Sequence, residues 1–263
     1  MTTTSASTTA ADATARAGRR TLDAPTRVLH WLMALSFAGA YLTSEMDEAR
    51  LLHISFGVTL GGAVVARLLW GLVGPRPARL SSWSARIRPL WKGGLQGASS
   101  ASTQPAWNMV AVLGIVLGSV VVVASGLTMN QGWGGEALGE AMEELHEVAG
   151  NGVLLLVLAH LSLLAWGLML QGGAQIMAMF TGRRPGSGAS LVPHNRAWLG
   201  VALVAAVAAF WWGQWAAPDA PWLPVGAEHA EAGEHGEHGD HAAAGDHGRD
   251  HAEDDEHDED DED

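Results

Sequence analysis

Residues 143–161, EELHEVAGNGVLLLVLAHL, form an apolar stretch that contains two histidines, His146 and His160. Ionisable side chains are rare inside membrane helices, where they usually face the interior of a bundle and serve a function. The interval of fourteen residues is almost four helical turns, so both side chains project from nearly the same face, about 21 Å apart along the axis. That separation fits two cofactors stacked across a hydrocarbon core about 30 Å thick.

Apolar segments of similar length recur along the chain. A helix needs about 20 apolar residues to cross a membrane. The first segment is shorter, and we expect its helix to extend upstream past Arg27, whose long side chain can reach the interface. The sequence predicts an all-α integral membrane protein, a four-helix bundle followed by a fifth transmembrane helix, with spans at residues 26–43, 51–74, 106–129, 142–170 and 197–217.

The charges of the loops predict an orientation. The N-terminal arm, segment 76–92 and the loop after the fourth helix are rich in arginine, whereas segments 44–50 and 130–144 are acidic. Arginine-rich loops stay on the cytoplasmic side of a membrane. We therefore expect a multi-pass membrane protein, with its N-terminus in the cytoplasm and its C-terminal tail on the opposite side of the membrane.

The chain contains no cysteine, which excludes disulfides, thiolate iron–sulfur ligation and covalent attachment of haem. Four histidines lie within or at the ends of the predicted helices. With the predicted orientation they form two pairs at different depths, His53 with His146 outside and His30 with His160 inside. Two such pairs are what two non-covalent b-type haems with bis-imidazole ligation require. The competing di-metal carboxylate site needs a second Glu-x-x-His motif, which the sequence lacks.

Two glycines lie one turn from predicted ligands, Gly57 after His53 and Gly150 after His146. A residue without a side chain on this face leaves room for a flat macrocycle, so both glycines are candidates for cofactor binding. The alternative is ordinary packing of small residues between membrane helices.

Two arginines are candidates for binding haem propionates or a quinone headgroup. Arg67 lies fourteen residues after His53 and shares its face, and Arg27 precedes His30 by three residues. A guanidinium can bind a carboxylate through two parallel hydrogen bonds. The alternative is that both side chains only extend toward the cytoplasmic interface.

Five short motifs occur together within residues 21–184: LDAPTRVLHW (22–31), LHISFGVTL (52–60), RLLWGLVGPR (67–76), EELHE (143–147) and TGRR (181–184). In combination they resemble the bacterial cytochrome b561 family, which includes the b-type cytochrome subunits of nickel–iron hydrogenases. The resemblance implies a four-helix bundle with two b haems that moves electrons between the membrane quinone pool and a partner. The haem ligands that it implies are His30, His53, His146 and His160. Leu22 departs from the family pattern, where tryptophan often precedes the aspartate.

Residues 226–263 contain 17 acidic residues, seven histidines and a single arginine. A segment of this composition cannot bury a core, and we expect it to be disordered. Three interpretations of it stay open: a site for divalent metal ions, a solvated acidic tail, and electrostatic capture of a basic c-type cytochrome.

The predicted organisation is a disordered cytoplasmic arm (1–20), a di-haem cytochrome b domain (21–184), a loop with the fifth helix (185–225) and the tail. The predicted function is electron transfer between the quinone pool and a periplasmic c-type cytochrome or hydrogenase-like subunit. The alternative is a membrane metal-binding or transport-accessory protein. The sequence offers no catalytic nucleophile, leaves open whether the chain is itself an enzyme and whether it forms oligomers, and predicts lipid contact but no nucleic-acid partner.

Overall fold

A computed structural model describes residues 18–93, 104–133, 135–185 and 189–216, and these residues are mostly helical. The first 17 residues of the predicted arm and the whole predicted tail lie outside the described residues. The helices are α1 (Ala24–Leu42), α2 (Arg50–Val73), α3 (Ser81–Gly93), α4 (Gln104–Asn130), α5 (Gly135–Gln171), α6 (Ala174–Thr181) and α7 (Ala197–Ala216). Two-residue strands β1 (Arg19–Arg20) and β2 (Arg183–Arg184) pair antiparallel.

Four helices among the described residues are long and apolar enough to cross a membrane, namely α2, α4, α5 and α7. Helix α1 is not among them, because polar residues such as Arg27 and His30 interrupt its first turns. Its 19 residues nevertheless give it a length of about 28 Å, close to the thickness of a hydrocarbon core. The protein is therefore a multi-pass membrane protein.

Helix α1 begins upstream of Arg27, as predicted, because Asp23 caps it. One carboxylate oxygen of Asp23 accepts hydrogen bonds from the backbone N–H of Thr26, at 3.3 Å, and from the Thr26 hydroxyl. Pro25 in the first turn supplies a φ angle already suited to a helix. The other Asp23 oxygen lies 4.0 Å from the guanidinium of Arg196, which immediately precedes α7. Asp23 thus fixes the start of α1 beside the start of α7.

Replacing Asp23 with alanine is expected to lower the free energy of unfolding by about 1 kcal/mol, because the first turn of α1 loses its cap. Thermal unfolding of the detergent-solubilised protein measures this change. Asp47→Ala is the matched control, since Asp47 is exposed at a 3-10 turn that has no side-chain cap. Equal melting temperatures for the two variants would contradict the capping role.

The structure corrects three sequence-based expectations. Helix α5 begins at Gly135 rather than at residue 142, so most of the predicted acidic loop is helical. The predicted loop 76–92 contains helix α3, and α6 follows α5. These helical segments contain no long apolar run, and they were therefore not predicted: α3 is amphipathic, the start of α5 is acidic, and α6 has only eight residues.

The bundle consists of two helical hairpins, α1–α2 and α4–α5, which meet where α2 packs against α4. Glycines allow the close approaches between these helices: a Cβ atom on Gly61 would meet Val123, and one on Gly118 would meet Val153. Helix α3 packs on α4 and contributes Trp83 to the core. Within the described chain, α5 does not pack closely against α1 or α2, so the two hairpins leave a gap between these helices.

Helix α7 covers the outer side of the α1–α2 hairpin. Its start lies beside that of α1: the backbone N–H of Ala24 donates to the carbonyl of Asn195 at 3.0 Å, and a Cβ atom added to Gly200 would lie 3.5 Å from the Cβ of Ala24. Further along, the indole N–H of Trp211 donates to the hydroxyl of Thr59 at 3.0 Å. Helix α7 therefore runs parallel to α1 and antiparallel to α2.

Candidate functional site

The rings of His53 on α2 and His146 on α5 face each other across the gap between the two hairpins. Their centroids lie 6.1 Å apart, and the ring planes are inclined by 70°. An imidazole nitrogen binds a transition metal at about 2 Å. Two imidazoles that bind one metal ion from opposite sides therefore have ring centroids about 6 Å apart. The observed separation fits two axial ligands of one iron.

Each of these imidazoles is oriented by a backbone carbonyl. Nδ1 of His53 lies 2.8 Å from the carbonyl oxygen of Ala40, and Nδ1 of His146 lies 2.9 Å from that of Val122. Because a carbonyl can only accept, Nδ1 must be the protonated nitrogen in both rings. Nε2 then has a free lone pair that can bind a metal ion. A hydrogen bond from the other ring nitrogen to a carbonyl is typical of histidines that bind metals.

Two small residues of α4 also lie against the ring of His146. The hydroxyl of Ser125 lies 3.2 Å from Nδ1 of His146. A Cβ atom on Gly126 would come within 2.9 Å of Cε1 of the same ring, so a larger residue there would displace the imidazole. Neither residue was predicted from the sequence, although the pair follows a run of apolar residues in VVVVASGL (120–127).

The two glycines predicted to flank a macrocycle face open space. A Cβ atom on Gly57 or on Gly150 would meet no heavy atom within 4 Å. By contrast, Gly61 and Gly118 lie against side chains of a neighbouring helix. Ordinary helix packing therefore does not account for Gly57 and Gly150, and the space beside them is compatible with a flat group.

The other two histidines, His30 on α1 and His160 on α5, lie within range of an electrostatic interaction, but no ring contact between them occurs among the described residues. Nδ1 of His160 is buried and has no hydrogen-bond partner among the described residues. The ring of His30 contacts the edge of Trp31, with centroids 5.6 Å apart. A buried imidazole with an unused nitrogen is compatible with metal binding at this level too.

The two arginines predicted as cofactor ligands have other contacts in this structure. The guanidinium of Arg67 donates to the carbonyl of Ala78 at 3.3 Å and lies 5.4 Å from the ring centroid of Trp83. Arg67 thus holds α3 and its preceding turn against α2. Arg27 donates to the carbonyl of Phe180 at 2.5 Å, which links α1 to α6.

A direct hydrogen bond between side chains spans the gap near the end of α1. The hydroxyl of Tyr41, the single tyrosine of the chain, lies 3.1 Å from Oδ1 of Asn151 and donates to it.

His194, the fifth histidine before residue 226, is exposed in the segment before α7. Among the described residues, no group of three or more histidine, aspartate or glutamate side chains is placed to hold a metal ion. The histidine-rich tail lies outside those residues.

One comparison with known proteins gives a match. The sequence profile of a family described as prokaryotic cytochrome b561 matches residues 21–182, which include all four paired histidines. No curated protein and no solved structure matches the chain. Helix α7 lies beyond the matched region.

Proposed function

Because the chain belongs to the prokaryotic cytochrome b561 family, we propose that it carries electrons across a bacterial inner membrane between the quinone pool and a periplasmic redox partner. Members of this family are membrane-bound b-type cytochromes that bind haem and take part in electron transfer. The number of haems, the quinone, the partner and the orientation are parts of the proposal. We propose two haems, one at each histidine pair.

The arrangement of His53 and His146 is the observation on which the proposal depends. The two rings lie at a separation suited to one iron, and each has its Nδ1 hydrogen bonded to a carbonyl. A b-type haem held by His53 and His146 would supply one-electron transfer chemistry. A Cβ atom added to Gly57 or Gly150 would meet no heavy atom within 4 Å, so neither position obstructs a flat group on the face of its histidine.

The second haem would be held by His30 and His160. Because His146 and His160 lie on one face of α5, about 21 Å apart, this single helix would ligate both haems. Arg67 remains our candidate for a propionate of the second haem, since a rotation about its long side chain would exchange its backbone contact for a carboxylate. Arg27 lines a separate groove on the outer side of α1.

The charges at the two ends of the bundle support the proposed orientation. The end at which α1 and α7 begin, here called the arginine end, carries exposed arginines at positions 76, 79, 86, 88, 183 and 184. The other end carries exposed glutamates at positions 45, 48, 136, 140 and 144. The arginine end would face the cytoplasm. The acidic end would face the periplasm, where it could attract a basic c-type cytochrome or a hydrogenase-like subunit.

The alternative function, a metal-binding or transport-accessory protein, depends on the histidines of residues 226–263. These residues lie outside the described part of the chain, so the structure adds no support to this alternative. A divalent metal on the tail would also be compatible with electron transfer.

An optical spectrum of the purified protein tests the proposal. The dithionite-reduced minus oxidised spectrum is expected to show b-type haem, and a pyridine extract is expected to contain two haems per chain. A soluble quinol should reduce the haem under anaerobic conditions. Absence of haem after purification from a haem-sufficient host would favour the metal-binding alternative, and deletion of residues 226–263 should leave the spectrum unchanged.

A further inference from the structure

A groove of about 370 Å³ lies on the outer side of α1, between α6 and α7. Its walls are almost entirely apolar and include Trp31, Leu35, Phe180 and Val204. Phe180 and Val204 are 56% and 51% exposed, so the groove is open to its surroundings. In a membrane it would be filled by a hydrocarbon chain.

The polar end of this groove is formed by Arg27. Its guanidinium donates to the carbonyl of Phe180, while its buried Nε has no partner among the described residues. Gly182 lies against it, with φ at +74°, and an added Cβ atom there would come within 3.2 Å of that Nε. The next residue along the chain is Arg183, the first residue of β2.

Four arginines form the two strands that adjoin this end of the groove. Arg19 pairs with Arg184, and Arg20 pairs with Arg183. We call these four residues the arginine ribbon. Like charges directly opposite each other destabilise a strand pair. Arg86 of α3 lies close enough to Arg184 for their charges to repel. The fold therefore concentrates positive charge at one place.

No carboxylate among the described residues forms an ion pair with Arg19, Arg20 or Arg184. The ribbon is nevertheless fixed, because Ser190 accepts a hydrogen bond from the backbone of Arg20 and Leu191 donates one to it. A fixed cluster of guanidiniums beside an apolar groove is complementary to an anionic headgroup with an acyl chain.

We propose that the groove and the arginine ribbon bind one anionic phospholipid, with its phosphate against the ribbon and Arg27 and an acyl chain between α1, α6 and α7. A quinone suits this site less well, because it carries no anionic group that could pair with the arginine ribbon beside the groove. The acidic residues 226–263 are a less favoured occupant, since α7 begins beside the ribbon and runs toward the far end of the bundle.

Lipid binding to the delipidated, purified full-length protein tests this proposal. The probe is phosphatidylglycerol, detected by native mass spectrometry, with phosphatidylcholine and inorganic phosphate as separate arms. We expect phosphatidylglycerol to bind preferentially, and its affinity to fall as the salt concentration rises. The double variant Arg20→Gln, Arg184→Gln should weaken this binding about 25-fold, or about fivefold per arginine removed.

Two further variants separate the ribbon from general surface charge. Arg76→Gln, Arg88→Gln removes the same charge at the arginine end, from exposed positions on other segments, and should change binding less than threefold. Val204→Trp fills the groove and should weaken lipid binding while both haem signals are retained. The proposal fails if phosphatidylcholine binds as well as phosphatidylglycerol, if inorganic phosphate competes equally, or if the control pair weakens binding as much as the ribbon pair. Tighter phosphatidylglycerol binding after deletion of residues 226–263 would identify these residues as the occupant of the arginine ribbon. That result would also overturn the proposal.

Discussion

Replacement of His146 by leucine is expected to leave a protein that binds one haem instead of two. The proposed outer haem is non-covalent and depends on two imidazoles, so loss of one axial ligand should release it on purification. The haem content, measured by pyridine extraction, should fall to about half, and a redox titration should show one component where the unmodified protein shows two.

Double variants test which histidines share a haem. Removal of both His53 and His146 should cost no more haem than removal of either one, since both would hold the same group. Removal of His53 and His160 together should eliminate both haems. The control is His194→Leu, which alters an exposed histidine outside the bundle and should change nothing. A retained haem in the His53/His160 variant would contradict the pairing.

Replacement of Gly150 by leucine is expected to expel the outer haem while the apoprotein stays folded. Gly150 lies four residues after His146, about 40° away around α5, and a side chain added there would enter open space rather than meet another helix. Glycine is also about 1 kcal/mol less favourable than alanine or leucine within a helix, so the apoprotein should not lose stability. Haem content and the melting temperature of the apoprotein are the two measurements.

Gly152→Leu is the matched control for this variant. Gly152 lies on the same helix and also has no neighbour within 4 Å of an added Cβ atom. It follows His146 by six residues, about 240° around the helix, and so faces away from the proposed haem. The control should keep both haems. A Gly150→Leu protein with full haem content would show that the space beside this glycine is not occupied by a macrocycle.

The apolar runs of the sequence predicted the positions of five long helices because the requirement to cross a membrane constrains composition directly. The same requirement makes a histidine inside such a run conspicuous, so His53 and His146 could be singled out from the sequence. The arginine-rich and acidic loops predicted the proposed orientation from composition alone. Each charge contributes to the preference of its loop for one side of the membrane, wherever it lies along that loop.

The groups that orient the histidines could not be predicted in this way. The partners of His53 and His146 are backbone carbonyls of Ala40 and Val122, which any residue type would supply. Helix α3 was not predicted because its apolar residues recur at helical intervals along one face and do not form one continuous run.

Composition and the order of charges are properties of the chain itself, and they suffice to predict membrane insertion, the five long helices and the set of histidines. The gap between α5 and the α1–α2 hairpin is different, because it exists only when two hairpins pack through α2 and α4. The juxtaposition of β1 with β2 likewise joins residues more than 160 positions apart in the sequence. Contacts between distant segments depend on the packing of the whole bundle, and so the geometry of the paired histidines and the arginine ribbon emerge only from the tertiary structure.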